Sequence, residues 1–108
     1  MVKGKWQIIQ WCPDIVTQEW LNIGVGFYSE EGQHFKYLDH FKKIECAYGV
    51  DMAKHADEVI KLTKQFFHKK CYEFSPQIRL IEVGLKKGQS IEDNLNSSYE
   101  RVVSLRAS

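Results

Sequence analysis

Trp20-Leu21-Asn22-Ile23-Gly24-Val25-Gly26-Phe27-Tyr28 alternates at period two, with Leu21, Ile23, Val25 and Phe27 forming one apolar set. Side chains of an extended strand point alternately to opposite faces, so this pattern predicts a half-buried β-strand. The other set reads Trp20, Asn22, Gly24, Gly26 and Tyr28. Ser29-Glu30-Glu31-Gly32-Gln33 follows as a polar turn with one glycine, and His34 to Leu38 is the expected returning strand of a hairpin.

Upstream, Trp6 and Ile8 fall on one side of an extended segment and Ile9 and Trp11 on the other. Apolar residues on both sides predict a strand covered on both faces. It ends near Pro13, which has no ladder donor and biases Cys12 towards an extended conformation. Downstream the period changes. Phe41, Ile44 and Ala47 share a helical face that ends at Gly49, and Asp51 is placed to cap a second helix. Met52, Ala56, Val59, Ile60, Thr63 and Phe67 give that helix its apolar stripe, and His68-Lys69-Lys70 suits its carboxyl end.

Ser75-Pro76 opens another extended segment. Its apolar residues change phase between Ile78, Leu80 and Ile81, Val83, Leu85, which predicts a bulge or an irregular strand. Lys86-Lys87-Gly88-Gln89 reads as a connector, and Ser90 with Asp93 as a capping box. Ile91, Leu95, Tyr99 and Val102 define the stripe of a final helix, with the tail beyond about Ser104 expected to fray. The expected fold is α+β: one domain over residues 1–108, a mostly antiparallel sheet of about four strands, and about three helices packed on one face. The hairpin alone does not fix the strand order.

A chain of 108 residues can bury a core without disulfides. Its three cysteines, Cys12, Cys46 and Cys71, are odd in number and widely spaced, which suits reduced thiols and a cytoplasmic setting. Cys46 is expected as a small core hydrophobe. No apolar run is long enough for a membrane span or a signal peptide. The net charge of +1 argues against nucleic acid as the default partner, because phosphate neutralisation needs a basic excess.

Pro13-Asp14, Glu19 and Asn22-Ile23-Gly24-Val25, following the strand Trp6 to Cys12, resemble the bacterial domain-of-unknown-function family numbered 3037. Members open with a strand, a Pro-Asp step and a second strand carrying that Asn-hydrophobic-Gly-Val signature. Pro76 to Val103, a strand and then a helix, is similar to that family's end. The resemblance implies an α+β fold and a bacterial origin. It also suggests, by association, a partner-protein role beside a HipA-like kinase.

Candidate binding residues follow from these segments. Gly24 and Gly26 weaken a strand interior unless something approaches closely. Either they floor a groove walled by Trp20 and Tyr28, or one of the protein's own helices lies over them. Asp14, Glu19 and Asn22 are the alternative site, since convergent carboxylates can divide acid and base work or hold a hard cation. Acidic and amide residues at a turn also serve as turn formers. Lys69-Lys70 and Lys86-Lys87 could join into a basic patch. His34, His40, His55 and His68 lack metal-site spacing, and nucleophile-elbow, phosphate-loop and dinucleotide motifs are absent from the sequence. No cofactor, metal or catalytic residue is therefore expected. The favoured reading is a non-catalytic protein-interaction or regulatory module, with self-association compatible. The alternatives are a small enzyme or ligand-binding domain at Asp14, Glu19 and Asn22, and a nucleic-acid-associated protein.

Overall fold

The computed structural model describes residues 1–106. Strand β1 (Val2–Trp11) is followed by β2 (Leu21–Ser29) and β3 (Gly32–Tyr37), then helices α1 (Lys42–Tyr48) and α2 (Val50–His68), strand β4 (Ile78–Gly88) and helix α3 (Ile91–Val102). All pairings are antiparallel, and the sheet order is β3-β2-β1-β4. The α+β class and the four-stranded sheet are as the sequence predicts. The interior position of β1 explains why it carries apolar residues on both sides.

Both pairings of β1 are interrupted by a bulge. Ile9 lies opposite Gly24 while Gln10 lies opposite Asn22, so Ile23 is an extra residue on β2. Trp6 lies opposite Gly84 while Gln7 lies opposite Glu82, so Val83 is the extra residue on β4. The phase change in β4 is thus a real bulge, just beyond the point the apolar pattern indicates. Each added residue shifts every later side chain to the opposite face.

The cross-strand partners define two faces. One carries Gln7, Ile9, Trp11, Gly24, Gly26, Phe35 and Tyr37, and α2 covers it. Trp11 meets His55 edge-on at 5.2 Å, Phe35 meets Phe67 at 5.0 Å, and the Lys64 ammonium stands over the Tyr37 ring. The other face carries Trp6, Gln10, Asn22, Val25, Phe27 and Lys36, and α3 crosses it. There Lys36 Nζ donates to Asn96 at 2.7 Å and stands over Tyr99, and Asn94 Nδ2 donates to the Val2 carbonyl. The helices therefore divide between the two faces rather than collecting on one, because β1 is apolar on both, with Phe35 and Tyr37 of β3 extending one face and Val25 and Phe27 of β2 the other, and each needs a cover. Ile9, Trp11, Val25 and Phe27 are fully buried, each stabilising the fold by about 1.5–3 kcal/mol.

Local details refine the expected elements. β1 starts at Val2, four residues before its apolar part, and β4 extends through Lys86-Lys87-Gly88 because both ends pair with each other. The β2–β3 hairpin closes over Glu30-Glu31, with Gly32 at φ +106°. Gly49, at φ +100°, ends α1 and precedes α2, so Asp51 lies inside the first turn and is not the cap. Its charge there still faces the positive helix end. Ser90 caps α3 by accepting from the Asp93 amide at 3.0 Å. Ala47 and Cys46 are exposed on the short α1, and Ile44 alone buries its apolar face. Cys12, not Cys46, is the buried cysteine.

Candidate functional site

The connector between β1 and β2 is built around Asp14. Its Oδ1 accepts from the Val16 amide at 2.9 Å, and its carbonyl accepts from Thr17 Oγ1 and from the Gln18 amide. Gln18 takes φ +54° to complete the turn. Gln77 anchors the entrance, donating through Nε2 to the carbonyls of Cys12 and Pro13, while its own carbonyl accepts from the Cys12 amide. Glu19 accepts from the Tyr48 hydroxyl at 2.8 Å, tying the connector to the end of α1. That hydrogen bond, helped by burial and by the carboxylate charge, raises the Tyr48 phenol above its ordinary pKa. Asp14 and Glu19 thus each have a structural partner: Asp14 forms the turn and Glu19 orients Tyr48.

Asn22 stands apart from those carboxylates. Its Nδ2 donates to the Val102 carbonyl of α3 at 2.9 Å, and its Oδ1 accepts from Gln10 Nε2 at 2.8 Å. Gln10 Oε1 in turn accepts from Arg79 Nε at 2.7 Å, and the Arg79 guanidinium lies 3.8 Å from the Trp20 ring centroid. Trp20 and Asn22 therefore belong to one polar chain that fastens the end of α3 to the sheet. A residue that leaves a helix-end carbonyl satisfied is placed for folding.

Gly24 and Gly26 lie on the opposite face from Asn22, because the Ile23 bulge reverses the alternation between them. They do not floor an open groove. A Cβ at Gly26 would stand 2.5 Å from Gln7 Oε1 and 2.9 Å from Phe35 Cε1. One at Gly24 would stand 2.7 Å from the Lys36 carbonyl oxygen and 3.0 Å from Ile9 Cδ1. Neighbouring strands of the sheet itself, with Gln7 and Gln33 hydrogen-bonded to each other, fill the space. Neither the groove nor an overlying helix accounts for the glycines. Trp20 and Tyr28 also lie eight residues apart, about 27 Å along a strand, too far to wall one small site. Tyr28 is exposed at the far end of β2.

The lysine pairs do not form one patch. Lys70 lines a cleft beside β3, while Lys86-Lys87 lies in β4 at the other edge of the sheet, three strand spacings or about 14 Å away. Burial, followed by the nearby Arg101 charge, lowers the Lys86 pKa. Among the described residues no group of three His, Cys, Asp or Glu side chains is arranged to hold a metal ion. No described helix is long and apolar enough to cross a membrane.

What the sequence did not single out is the apolar tip of the connector. Val16 is 90% exposed and Ile15 53%, and both sit in a turn held by the Asp14 bonds. Tyr48 and Val50, at the α1–α2 junction, are also exposed, and the Tyr48–Glu19 hydrogen bond brings that junction to the connector. The available signal was the Ile15-Val16 pair, apolar within an otherwise polar link. No family model matches this chain, and comparison with curated proteins and with solved structures finds no match.

Proposed function

We propose that this protein is a non-catalytic interaction module that engages a protein partner through the Asp14–Trp20 connector and the adjoining Tyr48–Val50 corner. The observation that carries this reading is Val16, an apolar side chain held almost wholly in solvent by an ordered turn. Isolated exposed apolar residues are common. Here, however, Ile15, Val16, Tyr48 and Val50 are all exposed, the Tyr48–Glu19 hydrogen bond ties the α1–α2 corner to the connector, and the turn holds the connector in one conformation. Preordering of that kind lowers the entropy lost on binding, and aromatic and aliphatic anchors carry most interface energy. Asp14 and Glu19 support the surface in this reading instead of forming a catalytic pair. The resemblance to family 3037 suggests a HipA-like kinase as one partner to try.

The test is recovery of the tagged protein from its native host, with Val16→Asp as the contrast. A stoichiometric partner retained by the wild type and lost by Val16→Asp, with unchanged thermal unfolding, supports the proposal. A partner held equally by both proteins, or a wild type recovered alone over several salt concentrations, refutes it.

A further inference from the structure

A second surface, away from the connector, has the chemistry of a small-molecule site. A cleft of about 590 Å³ opens between the β3 edge and the carboxyl end of α2, within the size range of ligand sites. Phe35 and Tyr37 from β3 and Tyr72 from the segment after α2 line it, with Phe67 buried behind them. The Phe35 ring lies 5.9 Å from Tyr37 and 6.1 Å from Tyr72, so three half-buried rings converge on one space. Lys64, His68 and Lys70 stand at the rim, opposed by the single carboxylate of Glu31. The ion pairs among the described residues, Lys5–Glu82 and Asp57–Lys61, use neither Lys64 nor Lys70.

Lys70 has a further peculiarity. It adopts φ +62° just beyond α2, with the Cys71 amide bonded back to the Phe66 carbonyl at 2.9 Å. Glycine is the residue that occupies this helix-end position at least cost. A lysine there presents its charge to the cleft although the backbone favours another residue.

We propose that this cleft binds a free mononucleotide, with the base against the aromatic rings and the phosphate held by Lys64 and Lys70. Aromatic walls accept the face of any planar base, and ammonium groups form charge-assisted hydrogen bonds to phosphate oxygens. A single nucleotide fits better than a long strand. The cations are confined to one rim, the net charge is +1, and the other lysine pair lies at the opposite sheet edge.

Calorimetric titration of the full chain with AMP, adenosine and inorganic phosphate tests the proposal, with a short single-stranded oligonucleotide as the fourth probe. AMP is expected to bind at least about tenfold more tightly than adenosine or phosphate, because only AMP uses both the rings and the cations. Lys70→Gly, which relaxes the backbone and so preserves the fold, should weaken AMP and leave thermal unfolding unchanged or higher. Lys64→Gln should weaken AMP similarly, and Tyr72→Leu, which keeps apolar bulk but removes the ring, should abolish the advantage of AMP over phosphate. The proposal is overturned if AMP gives no binding up to millimolar concentration, if phosphate alone binds equally well, or if the variants bind AMP like the wild type. Binding of the oligonucleotide without AMP would overturn it as well.

Discussion

Replacing Gly24 by alanine should destabilise the protein markedly more than the same change at Gly26. In an open extended strand the substitution would help by about 0.5–1 kcal/mol, since alanine loses less backbone entropy on folding than glycine. At Gly24 the new methyl would meet the Lys36 carbonyl oxygen at 2.7 Å, Ile9 Cδ1 at 3.0 Å and Tyr37 Cα at 3.3 Å. Two of these obstacles are backbone atoms of β3, which the sheet ladder holds in place. Overpacking of this kind costs about 1–3 kcal/mol, and the rigid neighbour places Gly24 at the upper end, for a net loss of about 2 kcal/mol. At Gly26 the obstacles are side-chain atoms, the amide ends of Gln7 and Gln33, which can turn aside, and the edge of the Phe35 ring, which must shift slightly, so the net loss should be smaller, about 1 kcal/mol. Urea unfolding at matched m-values measures the difference, and thermal unfolding should place Gly24→Ala about 8 °C below the wild type. If both variants are as stable as the wild type or more stable, the glycine face is open and the packing argument fails.

Three further outcomes follow from the same geometry. Asn22→Ala should cost about 1–3 kcal/mol, because the Val102 carbonyl and Gln10 amide lose their partner; a loss below about 0.5 kcal/mol would show that α3 is fastened elsewhere. A thiol reagent under native conditions should modify Cys46 and Cys71 rapidly and Cys12 only on the timescale of opening; three equally fast thiols would contradict the burial of Cys12. Stability should fall as pH rises above about 10, the ordinary phenol value. Burial raises Tyr37 and Tyr99 above that value, so the unfolded chain releases protons that the folded chain retains, and stability decreases with pH through the folded pKa. Tyr37→Phe should flatten that alkaline loss, and an unchanged profile would remove Tyr37 as its source.

Local pattern and final structure agree most plainly, and then diverge, at β2. Its period-two pattern revealed a strand, and the turn at Glu30-Glu31 revealed the hairpin, because both are local properties of consecutive residues. The α2 stripe through Ala56, Ile60, Thr63 and Phe67 was equally plain, as was the Ser90 cap, since a helix needs neighbours only three or four positions away. Alternation alone, however, put Asn22 beside Gly24 and Gly26. The face of each residue depends on where β1 supplies one partner for two residues of β2, and no local pattern encodes that count. The candidate site built on a shared face therefore came apart, with Asn22 under α3 and the glycines against backbone and side-chain atoms of neighbouring strands.

By itself, then, the sequence determined the α+β class, the four strands, the three helices and the irregularity of β4, all of which follow from short-range periodicity and turn chemistry. Only the tertiary structure decided the order β3-β2-β1-β4, the division of helices between two faces and the separation of the lysine pairs. The physical reason is range. Burial of both faces of β1, closure of the aromatic cleft by Tyr72, and the exposure of Val16 all depend on residues far apart in the chain, whose packing emerges only when the whole core assembles.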